Sequence, residues 1–215
     1  MKLVLAFHGT RDPRGVAVCE EIADLVRVQV NVPVLVAFAD VLQPDVRAVV
    51  DGPCVVVPVF LAAGYHVRVD IPAQIGVRSG VVVTSPLGLD AVPVVRERLV
   101  EAGFRRGDAL VLAAAGSSDA RSLATARRAA EMLGASAVGY VATAAPRIAD
   151  VVAEVKARGR RVAVASWLLA PGVFHGSLVE CGADVVSAPV GAHPLVADAL
   201  VRKYYEARAL VLRTA

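Results

Sequence analysis

Two histidines stand where this chain has the means to do chemistry. His8 closes the apolar run Leu3-Val4-Leu5-Ala6-Phe7 and is followed by Gly9, Thr10, Arg11, Asp12 and Pro13; a helical period begins at about Gly15. His66 follows a second apolar run, Cys54 to Leu61, by way of Ala62-Ala63-Gly64-Tyr65. A strand that ends in polar residues just before a helix marks the carboxyl edge of an open parallel sheet, where such folds place their chemistry. An imidazole there can take up a proton near neutral pH, ligate a borderline divalent metal, or simply hydrogen-bond its turn. Two neutral imidazoles with few acidic neighbours make a weak, open site for Fe2+, Co2+, Ni2+ or Zn2+, unlike the four-ligand pattern of structural zinc. Such a site suits a metal that is held briefly and passed on. Asp70 reads as the N-cap of the helix opened by Asp70-Ile71-Pro72, with orientation of an imidazole or ligation of the metal as the alternative.

Composition excludes several classes of function. The 215 residues are 56% hydrophobic, but the apolar runs are broken by Gly, Pro or charge before they reach membrane-span length. The apolar stretch after Met1 is too short for a signal peptide and lacks a small-residue cleavage pattern, so a cytoplasmic protein is expected. Cys19, Cys54 and Cys181 show no CxxC or Cys/His spacing and read as free buried thiols in a reducing compartment. A net charge of +3 and 5% aromatic residues argue against nucleic acid as a partner. The clusters Arg105-Arg106 and Arg158 to Arg161 fall at helix ends, where cations complement the dipole.

The elements that must position the histidines alternate regularly. Helical spacing covers Ala17 to Val30, Pro44 to Val50 and Pro93 to Glu101, the last stopped by Gly103; strands are expected at Val32–Phe38, Cys54–Leu61 and Val81–Thr84. The pattern then begins again. Val4 to Asp12 aligns with Val111 to Asp119, Phe60-Leu61-Ala62-Ala63-Gly64 with Leu168-Leu169-Ala170-Pro171-Gly172, and Pro86-Leu87-Gly88 with Pro189-Val190-Gly191. Three anchors in the same order and at nearly the same spacing mark an internal duplication. The expected fold is α/β, with two tandem doubly wound parallel-sheet lobes over 1–104 and 105–215. His8 aligns with Ala115 and His66 with Phe174, with His175 displaced by one position. This asymmetry points to one active lobe.

Read together, His8-Gly9-Thr10-Arg11-Asp12-Pro13, the block Pro58 to Pro72, Ala114 to Asp119 and Leu169-Ala170-Pro171-Gly172 resemble the sirohydrochlorin chelatases of the CbiX/SirB type, class II ATP-independent chelatases. The resemblance covers nearly the whole chain and includes the duplication of the long form. It implies insertion of Co2+ or Fe2+ into sirohydrochlorin on the way to cobalamin or siroheme, with the tetrapyrrole between two chelatase-like lobes. It further implies that His8 and His66 bind the metal and assist removal of the pyrrole protons. No nucleotide is required, in keeping with the lack of a GxxxxGKS/T motif.

Sirohydrochlorin carries several carboxylates. The Gly116-Ser117-Ser118 turn, at a helix start, is a candidate seat for one of them, and Arg11, Arg68 and His175 are candidate partners for others; each of these also reads as an ordinary surface group. His193 either lines a rim or begins the last helix. A monomer or a homodimer satisfies the duplication equally. The rival readings are a non-catalytic tetrapyrrole or metal carrier and a phosphoryl-transfer enzyme with His8 as nucleophile. Against the latter, the position before His8 holds Phe7 rather than a phosphate-binding arginine.

Overall fold

The computed structural model describes residues 1–214. The first half of the chain runs β1 (Lys2–Phe7), α1 (Pro13–Arg27), β2 (Val34–Phe38), α2 (Val46–Val49) and β3 (Cys54–Pro58). A π-helical turn (His66–Asp70) then leads into α3 (Ile71–Ile75), β4 (Val81–Val83), a 3-10 turn (Gly88–Ala91) and α4 (Val92–Glu101). The second half repeats the series as β5 (Ala109–Ala114), α5 (Ala120–Leu133), β6 (Ala137–Tyr140), α6 (Ile148–Ala157), β7 (Val162–Trp167), α7 (Val173–Val179), β8 (Val185–Val186) and α8 (Pro194–Thr214).

Each half builds a four-stranded, wholly parallel sheet, in the orders β2-β1-β3-β4 and β6-β5-β7-β8. The doubly wound α/β fold expected from the alternating pattern is therefore present twice. Strands β1 and β3 are apolar almost throughout because both faces are covered. On one face of the first sheet, Val46 of α2 and Ile71 and Ile75 of α3 pack on Val4, Ala6 and Val56. In the second sheet, Ile148, Val151, Val152 and Val155 of α6 pack on Val111, Ala113 and Val164.

The compact units do not coincide with the expected 1–104 and 105–215. One unit comprises Met1–Asp90 with the chain from Ala192 onward, and the other comprises Ala91–Gly191. The reason lies in the last helix of each half. Helix α4 packs on β7 and α5 through its buried Val92, Val94, Val95 and Leu99. Helix α8 packs on α1 and β3, with the buried Tyr204 donating its hydroxyl to the Met1 carbonyl at 2.7 Å. Lys203 ties the same helix to Asp90 at 2.8 Å and to the Ser85 hydroxyl at 3.1 Å.

All three cysteines are free and buried. Burial pushes the Cys19 thiol up to about 12 and raises that of Cys54, so neither presents a thiolate at neutral pH. Among the described residues, no helix is long and apolar enough to cross a membrane.

Candidate metal centre

In a sheet of order 2-1-3-4, the connections leave β1 toward β2 on one side and return past it to β3. The carboxyl ends of β1 and β3 therefore flank the switch point, the crevice at which doubly wound sheets bind ligands. His8 is the residue after β1, and the segment leaving β3 carries His66 back over the same edge. The two Nε2 atoms stand 3.0 Å apart, with the ring centroids 4.3 Å apart and the planes at 82°. The sequence expectation that these histidines converge is met.

The hydrogen bonds of the two rings decide what they offer each other. The Nδ1 of His8 lies 3.0 Å from the Gly9 carbonyl oxygen, and the Nδ1 of His66 lies 2.6 Å from an Asp70 carboxylate oxygen. Both partners only accept, so each Nδ1 carries a hydrogen, and in the neutral rings each Nε2 keeps its lone pair beside that of the other. Two lone pairs at 3.0 Å repel unless a cation lies between them. A metal with two nitrogen bonds of about 2.1 Å at a right angle to each other would space the nitrogens by about 3.0 Å. The spacing matches that of two nitrogens on one ion.

A third donor lies beside them. One ligand atom each from His8, Asp40 and His66 falls within 4.8 Å of the other two. Pairing between β1 and β2 continues past the strand ends, with Ala39 N–H donating to the Phe7 carbonyl at 2.7 Å and Asp40 N–H to the His8 carbonyl at 3.0 Å. Asp40 is thereby held next to His8. Gly9 completes the contact: it has φ +98°, and a β-carbon there would run into the Asp40 carbonyl oxygen. Two histidines and one carboxylate with open positions form the donor set associated with Fe2+ and related ions. Sequence reasoning missed Asp40. The signal that could have found it was already in use, because Ala142 occupies its place in the duplicated unit.

That correspondence is seen in the backbone. Val41 and Thr143 both have positive φ, the Gln43-Pro44 and Ala145-Pro146 bonds are both cis, and Gly116 abuts the Ala142 carbonyl as Gly9 abuts that of Asp40. The second unit thus retains the scaffold while Ala115, Ala142 and Phe174 stand where the first has His8, Asp40 and His66.

Asp70 is not an N-cap. Its backbone is already helical and its side chain makes no capping bond, because the helix begins four residues earlier in the π-helical turn. A π-turn widens the helix, a deformation frequent at functional sites. The carboxylate instead fixes the tautomer and ring plane of His66, the arrangement that supports metal-bound histidines. Phe60, half-buried, backs both imidazoles with its ring at 6.2 Å from His8 and 6.4 Å from His66. His8 is exposed and the His66 side chain retains 32% of its accessibility, so the site is open to an incoming partner.

The remaining candidates are distributed differently. Arg11 and Arg68 are exposed residues of the first unit, the latter on the π-turn. Gly116, Ser117 and Ser118 belong to the second unit. The Ser117 hydroxyl accepts the Asp119 N–H at 3.0 Å, and Asp119 caps α5 by accepting the Arg121 N–H at 2.9 Å. The first unit has the same device in Thr10 and Asp12, with Arg14 holding the Asp12 carboxyl below the usual carboxylate range. His175 points Nε2 at the Ser187 carbonyl at 3.1 Å, a bond within its own unit. His193 accepts the Leu195 N–H on Nδ1 at 3.2 Å and so begins α8.

Comparison with known proteins bears on family and fold. The CbiX family model matches residues 2–102 and, a second time, 109–207. The sirohydrochlorin cobaltochelatase of Methanothermobacter thermautotrophicus is 29% identical over 130 residues, with 46% of this chain matching 91% of that one. In fold, the chain is similar to SirB from Bacillus subtilis with Fe3+, at 20% identity and TM-score 0.82 over 97% of this chain and 95% of that one. It is also similar to SirB from Bacillus subtilis subspecies spizizenii in complex with cobalt, at 21% identity and TM-score 0.77 over 96% and 94%.

Proposed function

Because the chain belongs to the CbiX family, we propose that it is a sirohydrochlorin chelatase that inserts Co2+ or Fe2+ into sirohydrochlorin, without ATP, in the synthesis of cobalamin or siroheme. The observation that carries this reading is the pair of histidine Nε2 atoms 3.0 Å apart at the switch point of the first sheet. The metal is a substrate here, and three protein ligands from His8, His66 and Asp40 leave positions open to the nitrogens of the macrocycle.

Insertion exchanges one divalent cation for two pyrrole protons. Nitrogen lone pairs of the ring replace imidazole ligands stepwise, and each imidazole freed of metal is a base within reach of a departing proton. The Asp70 carboxylate stabilises the His66 imidazolium that results. In this reading Arg11 and the Gly116-Ser117-Ser118 turn contact carboxylates of the substrate. The unpaired thiols support a reducing, cytoplasmic setting.

The test is an anaerobic absorbance time course with sirohydrochlorin in excess over protein, with Co2+ or Fe2+ and no nucleotide. Many turnovers per protein above the spontaneous rate are expected. Binding of the macrocycle with no more than one equivalent metallated would overturn the proposal in favour of a carrier.

A further inference from the structure

We propose that Gln74 is a positioning residue for the metal site, one that sets the distance between the Asp40 carboxylate and the His66 imidazole; this rests on the assignment of those side chains as metal ligands. Gln74 lies on α3, two helical turns beyond His66 and one beyond Asp70. Its Nε2 donates to the Ala39 carbonyl at 2.7 Å, and its Oε1 accepts the Val46 N–H at 3.0 Å. Ala39 immediately precedes Asp40, and Val46 opens α2, so the amide grips both ends of the segment that carries the carboxylate. One partner only accepts and the other only donates, which fixes the amide orientation.

The two partners lie 35 and 28 residues away in sequence, on a loop that contributes one ligand, whereas Gln74 shares its helical stretch with another. Asp70 acts on the second ligand directly, through the His66 ring. The stripe His66, Asp70, Gln74 therefore orients the imidazole at one end and holds the Asp40 loop at the other. Helix α7, Val173–Val179, contains no amide side chain, and its unit has Ala142 where Asp40 stands. Asp40 also uses one carboxylate oxygen to accept the Val41 N–H at 2.7 Å, so its orientation follows the backbone that Gln74 holds.

The experiment is a titration of the purified protein with Co2+ alone, followed by calorimetry and by the cobalt d–d bands, for wild type, Gln74→Leu, Gln74→Glu, Asp40→Ala and the Gln74→Leu/Asp40→Ala pair. Gln74→Glu retains the acceptor for Val46 but sets a carboxylate against the Ala39 carbonyl, which keeps the test available should the leucine variant fail to fold. Each Gln74 variant is expected to weaken Co2+ at least about 10-fold. Their d–d spectra should resemble that of Asp40→Ala, and Gln74→Leu should cost nothing further once Asp40 is absent. Unchanged affinity in the Gln74 variants overturns the proposal. So does an equal loss with and without Asp40, or an Asp40→Ala protein that binds Co2+ as tightly as wild type. Failure of the chelatase assignment reads separately, as wild-type protein that binds Co2+ but inserts none into the macrocycle.

Discussion

Replacing His8 by alanine should lower catalysed metal insertion at least about 100-fold, to a rate near that of the spontaneous reaction. His66→Ala should do the same. Each substitution removes one of two Nε2 atoms 3.0 Å apart, so of the three grouped ligands the surviving imidazole keeps only Asp40 among the described residues. The two losses should not add: the double variant is expected to be no worse than either single one, because the ligands act as a unit. The fold should survive, since His8 is exposed and the β1 core ends at Phe7. Insertion rates measured beside far-ultraviolet circular dichroism check this. A His8→Ala protein with wild-type turnover would remove the metal from this pair of residues.

The second large effect separates scaffold from ligands. Gly9→Ala forces a side chain into φ +98° and against the Asp40 carbonyl, and Gly116→Ala does the same against the Ala142 carbonyl at φ +93°. Each should destabilise its unit by about 3 kcal/mol. The two should differ in Co2+ affinity. Gly9→Ala displaces His8 and Asp40 together, so it should lower affinity at least about 10-fold, whereas Gly116→Ala lies in the unit without the three ligands and should leave it unchanged. Thermal melts and Co2+ titrations of the two variants provide the comparison. Equal losses of affinity would mean that the first unit does not hold the metal alone.

Much of this was legible in the sequence. The short all-apolar runs at Leu3 to Phe7 and Cys54 to Val57 read as strands covered on both faces, and the duplication showed that His8 and His66 had no aligned histidine in the second half. What stayed hidden depends on contacts across the fold. Asp40 is an ordinary acidic loop residue until β1 and β2 are paired and the loops beyond them touch. Asp70 looked like a cap because Ile71-Pro72 resembles a helix start; only the π-turn from His66 moves the start back and frees the carboxylate for the imidazole. The exchange of α4 and α8 between units was likewise invisible, since an amphipathic pattern shows that a face is buried but not in which core. Ser117, attractive at a helix start, has its hydroxyl engaged by the capping residue of the same turn.

The measurement that bears most directly on this account is anomalous scattering at the cobalt edge from crystals of the protein soaked in Co2+. One strong peak is expected within bonding distance of the His8 and His66 Nε2 atoms and the Asp40 carboxylate, and none beside Ala115, Ala142 and Phe174. Cobalt bound elsewhere, with those three side chains unchanged, would contradict it.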